Sequence, residues 1–160
     1  LIGGAVVDVF YPRLNEAALA GEDTGQMIGK ATLALAAIGV VPFGVVVLFG
    51  PWLFETVFGS EWGKAGEYAR WLALWSYFGF LNRPSVAAIP VLSMQGIFLL
   101  YEIASVALRA GALGAGFLIF EDDVIAVVLF SVVSVLLNAS LVVFTVLAAR
   151  QSNKRTIISV

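Results

Sequence analysis

Asp8, Arg83, Glu102 and Arg109 are charged side chains set deep inside otherwise apolar runs of this sequence. Arg83 sits between Asn82 and Pro84 in FLNRPSVAAIP, residues 80–90. A charge at the centre of a bilayer costs at least ~2.5–3.5 kcal/mol on insertion scales, so such residues face a bundle interior or a wet cavity and mark pathways. The planar fork of a guanidinium suits phosphate, and a carboxylate at similar depth suits an ion pair or cation coupling. The chemistry indicated is recognition of an anion, with Arg83, Arg109 and the neighbouring amide of Asn82 as substrate-binding candidates. Glu102 and Asp8 are the coupling or ion-pair candidates. No nucleophile–base pair and no Gly-rich phosphate loop is present. The chain has no cysteine and no histidine, which excludes disulfides, thiolate chemistry, histidine catalysis and most zinc sites. The expectation is a protein that is not an enzyme and needs no cofactor or metal.

The elements that must position these residues are membrane helices. The 160 residues are 61% hydrophobic and 12% charged, with a mean hydropathy of +0.99. Soluble domains are nearer half apolar and a quarter charged. Net charge is −2, so nothing global suggests nucleic acid. A spanning helix needs about 20 mostly apolar residues, and the runs 31–55, 68–92, 97–120 and 124–149 meet that length. The run 124–149 holds no charge at all, which argues against a soluble helical protein. LIGGAVVDVFYPRL, residues 1–14, reads as the end of a fifth helix that stops near Pro12. The expected fold is all-α and integral to the membrane: one antiparallel bundle of four full transmembrane helices plus a partial N-terminal helix, followed by a tail over 150–160. Short loops are expected to keep consecutive helices adjacent. The chain opens on Leu1 with no charged region before it and is expected to be a fragment of a longer protein.

Depth along the helices brings the charges together in this reading. Arg83 lies about 15 Å from the inner end of its helix, Glu102 about 8 Å and Arg109 about 18 Å. Glu102 and Arg109 share a helix face with Ser105. Two readings stay open: a buried ion pair that fixes helix packing, or a cationic, water-lined site. Proline removes a backbone hydrogen bond inside a helix, so Pro42, Pro84 and Pro90 are expected hinges. Ser131, Ser134, Asn138 and Thr145 form a polar stripe that reads as glue between helices, as does the small-residue run 109–117.

Orientation follows from basic residues near helix ends. Arg13, Lys30, Arg150, Lys154 and Arg155 fall on one side, Lys64 and Arg70 on the other. The richer side, with the tail, is expected in the cytoplasm. Trp52, Trp62, Tyr68, Trp71 and Trp75 read as interfacial anchors.

PWLFETVFGSEWGKAGEYARWLAL, residues 51–74, carries a family likeness through Phe58, Gly59, Trp62 and Ala65. With VFYPRLNEA, 9–17, and VLSMQG, 91–96, it resembles the polysaccharide exporters. These are lipid-linked oligosaccharide flippases of the multidrug/oligosaccharidyl-lipid/polysaccharide exporter superfamily. The resemblance implies two bundles of about six helices around a central cavity, rocking in alternating access. This chain would supply most of the C-terminal bundle, with a missing N-terminal bundle as its partner. It implies a cell (inner) membrane location, a lipid-linked sugar substrate, and Arg83 and Arg109 at the substrate's pyrophosphate. Two alternatives remain: a multidrug or metabolite exporter coupled to cations through Glu102 or Asp8, and a non-transporting membrane scaffold.

Overall fold

A computed structural model describes the backbone of residues 2–158 and the side chains of 9–153. The described residues form α1 (Ile2–Leu19), α2 (Thr24–Phe58), a single 3-10 turn (Ser60–Trp62), α3 (Gly63–Leu81), α4 (Arg83–Val91), α5 (Gln95–Ile119) and α6 (Asp123–Ile158), with no strand among them. Three helical segments are long and apolar enough to cross a membrane: Thr24–Phe58, Gln95–Ile119 and Asp123–Asn153. The chain is a membrane protein of all-helical architecture.

Several helices differ from their sequence-based bounds. α1 does not stop at Pro12 but runs through it to Leu19. Glu16, Ala17, Ala18 and Leu19 are strong helix formers and carry the helix past one missing hydrogen bond. It ends at Gly21, whose φ of +72° suits the left-handed closing position. There Gly21 N–H donates to Ala18 O and Glu22 N–H to Ala17 O. α2 begins seven residues earlier than its apolar run, because the Asp23 carboxylate accepts from Gln26 N–H at 2.9 Å and caps the helix start. α6 continues through the expected tail to Ile158. Its start is capped by Asp122, whose carboxylate accepts from Val124 and Ile125 N–H at 2.8 and 3.0 Å.

The expected single helix 68–92 is two helices divided at Asn82. Pro84 stands in the first turn of α4, where it has no N–H to return to Phe80. A missing donor costs least in a first turn, where the N–H has no helical partner to lose. Pro42 and Pro51 lie inside α2 and Pro90 inside α4.

α2 packs along α3, α5 along α6, and α6 also touches α2, α3 and α4. The expectation that helix 97–120 neighbours 68–92 does not hold broadly for α3: α5 packs along α6 and touches α4 slightly. Without a hydrophobic drive between helices in lipid, close contact depends on small residues. A Cβ on Gly66 would lie 2.6 Å from Gly50 O and from Pro51 Cα, so α2 and α3 cross backbone to backbone. Gly116 meets Ala126 the same way where α5 turns into α6. Leu33, Ile38, Leu100, Leu118 and Leu136 point outward, all more than 60% exposed, as side chains solvated by hydrocarbon do.

Candidate functional site

The helices fix a register at three levels. At one end Lys64 pairs with Asp123 at 2.6 Å and Tyr68 donates to Asp123 at 2.5 Å, joining the starts of α3 and α6. At the other end Leu14, Ile28, Ala88 and Ala149 form a buried cluster of α1, α2, α4 and α6. Between them Asn82 Nδ2 donates to Asn138 Oδ1 at 3.0 Å. Asn138 is halfway along the apolar segment Asp123–Asn153. The α3–α4 break therefore lies mid-bundle, and the broken pair runs about the length of the apolar segment of α6.

Arg83 follows this break and is exposed. It lines a cavity of about 380 Å³ with Phe43, Trp75, Ser76, Gly79 and Phe80, between α2 and α3. Phe43 stacks at a tilt on Tyr77 and Phe80, with centroids at 5.7 and 6.1 Å. Trp75 meets Phe130 edge-on at 5.0 Å. Pro42 precedes Phe43 in α2 and is exposed. A guanidinium over aromatic walls suits an anion joined to a ring or chain, because the fork takes oxygens and the rings take apolar surface.

Asn82, expected at the substrate, is instead 6% exposed and bound to Asn138. Asn138 Nδ2 in turn donates to Ser134 O at 2.8 Å. The two arginines do not share a cavity. Arg109 is half-buried on α5, and its Nε is buried with no partner among the described residues. Glu102 is half-buried on α5, and neither arginine stands within ion-pair distance of it: among the described residues Lys64–Asp123 is the ion pair found. Two physical reasons separate them. Residues seven apart share a helix face but stand about 10.5 Å apart along the axis. α6, not α3, covers the broad face of α5. The side chain of Asp8 lies outside the described residues. No family model matches this chain, and no curated protein and no solved structure matches it.

Three polar features escaped the sequence reading. Arg70 Nη2 donates to Leu48 O at 3.4 Å, so one of its nitrogens serves a carbonyl of α2. Tyr77 donates to Ala36 O at 3.2 Å, and Tyr101 donates to Leu137 O. Their targets are backbone atoms, which leave no trace in residue types. The Lys64–Tyr68–Asp123 group did leave a trace, in the i, i+4 spacing of Lys64 and Tyr68. The hydrogen bond to Asp123, and secondarily that to Tyr68, raises the Lys64 pKa above the usual lysine value.

Proposed function

We propose that this bundle is part of a membrane exporter that carries a lipid-linked, anionic saccharide headgroup, with Arg83 meeting the headgroup phosphate. One observation carries the reading: an exposed guanidinium without an ion-pair partner among the described residues, on an aromatic-walled cavity, at a helix break halfway along the bundle. An isolated cation at that depth is costly and calls for a passing anion. The resemblance of residues 51–74 to polysaccharide exporters supports the substrate class. On this reading α3 and α4 form the fourth crossing, a discontinuous helix of the kind that builds transporter sites. The remaining cavity wall comes from a second bundle, and alternating access bends the chain near Pro42 and Pro84. The membrane is the cell (inner) membrane with the C-terminus cytoplasmic. No covalent step is required.

Arg83 is the dominant group in this arrangement and Arg109 a secondary one, since Arg109 stands on a different helix face. In the complete protein, Arg83→Ala lowers export of lipid-linked sugar roughly 10- to 100-fold, the value of a charge-assisted hydrogen bond. Arg83→Lys keeps the charge without the fork and retains partial export. Export measured in vesicles, with insertion checked separately, tests this. Full export by Arg83→Ala overturns the reading and leaves the scaffold.

A further inference from the structure

Along the middle of the bundle runs a line of buried polar atoms without protein partners among the described residues: Ser85 Oγ on α4, Asn82 Oδ1 at the break, Ser105 Oγ on α5, and Ser134 and Ser131 Oγ on α6. The four serines are fully buried and Asn82 is 6% exposed. The register places them in one zone. Asn82 is level with Asn138 through their hydrogen bond. α5 runs antiparallel to α6, with Tyr101 bonded to Leu137 and Gly116 against Ala126, which puts Ser105 level with 133–137. Ser85 stands one turn beyond Asn82 and Ser131 one turn beyond Ser134. The zone covers about 15 Å of bundle length.

Direct hydrogen bonds do little of the joining here. Asn82–Asn138 is the side-chain bond between α6 and the α3–α4 pair in this zone. Asn138 Nδ2 spends itself on Ser134 O of its own helix, and Thr145 bonds Leu141 O and Val142 O of its own helix. Buried hydroxyls and amide oxygens left without a partner are strongly disfavoured in a medium that offers none. Each is neutral and both donates and accepts, except the amide oxygen, which accepts. That mixture does not select an anion or a bare cation. It matches water, which needs two to four polar partners and is held by buried groups of this kind.

We infer that the buried zone where α6 meets the α3–α4 break and α5 is a hydration site, holding ordered water on Asn82 Oδ1, Ser85, Ser105, Ser131 and Ser134. The water completes the hydrogen bonding of these buried side chains. This inference is independent of the exporter reading, since it concerns the interior face of the break and not the Arg83 cavity.

Water-edited solid-state NMR of the full chain in lipid bilayers tests it. Asn82, Ser85, Ser105 and Ser134 should receive magnetisation from water several-fold faster than Ile103 and Leu136, which lie at comparable depth and are 60% and 64% exposed to lipid. Equal build-up at both sets overturns the inference. A thermal arm reads the same question in another way. In a dry zone, the Ser85→Ala/Ser134→Ala variant sheds unpaired hydroxyls and its Tm rises. In a hydrated zone the water loses partners, so Tm falls by several degrees and the water transfer at Asn82 drops. A rise or an unchanged Tm counts against the site.

Discussion

Asn82 and Asn138 carry the clearest residue-scale test. Both are buried, and each amide has a single cross-helix partner. Removing one side leaves the other in an apolar medium, which costs about 1–3 kcal/mol, while the net value of such bonds in membranes averages only ~0.6 kcal/mol. Asn138→Leu is therefore expected to destabilise the bundle in denaturant titration more than the Asn82→Leu/Asn138→Leu pair does per site. Lys64 gives a second test, with a sign. Its folded pKa is raised by Asp123 and Tyr68, so its contribution is complete below the unfolded value of about 10.4 and fades as pH rises through the folded value. The Tm gap between wild type and Lys64→Met should stay flat from pH 6 to 9 and close above that range. The gap is small because the pair is exposed. Arg83 was legible at this scale, since a guanidinium in an apolar run stands out in any reading. The pairing of Glu102 with Arg83 or Arg109 was not, because depth along a helix does not say which neighbour covers it, and α6 covers α5.

At the scale of elements, the apolar runs announced α2, α5 and α6 almost to the residue at their apolar ends. What hid was local chemistry that apolarity does not register: the Asp23 cap that starts α2 at Thr24 and the Gly21 closure that extends α1. The break at Asn82 was half visible, because Pro84 marked a bend but not a new helix. The α2–α3 crossing was invisible, since Gly50 and Gly66 are sixteen positions apart and neither sits in a small-residue motif. That crossing makes the element-scale prediction. At Gly66 a Cβ meets Gly50 O and Pro51 Cα, both backbone atoms at 2.6 Å, so no rotamer relieves the clash. Gly66→Val should separate α2 from α3 and lower bundle stability by several kcal/mol, beyond the usual ~1–3 kcal/mol of overpacking. Gly79→Ala, with nothing within 4 Å of its new Cβ, should leave the melting curve in place. Equal tolerance of both would mean that the crossing is not close.

For the whole molecule, the deciding feature is how helix ends group. The starts of α3 and α6 are tied by Asp123, and the starts of α2 and the late part of α6 meet where Gly25 approaches Val146 O and Arg150. Each tie joins ends that lie on the same side of an up-and-down bundle, so the turn at Ser60–Trp62 and the acidic turn at 121–122 share one end. The turn at 92–94 and the α1–α2 turn share the other. α3 and α4 must then carry the chain across, although neither is long and apolar enough alone. An interrupted crossing is tolerated in a membrane only where its loose backbone is buried in protein or faces water. Asn82 at 6% exposure, with α6 over it, meets the first condition. Reporter fusions test the crossing directly. Fusions in the complete protein at Ser60 and at Ser93 should give opposite outputs, because only α3 and α4 separate them. Basic residues concentrate near the Ser93 end, at Arg13, Lys30 and Arg150, so that end should report cytoplasmic. Matching outputs would mean that α3 and α4 return to the side they left, as a re-entrant pair. The mid-bundle position of Arg83 would then fail with them.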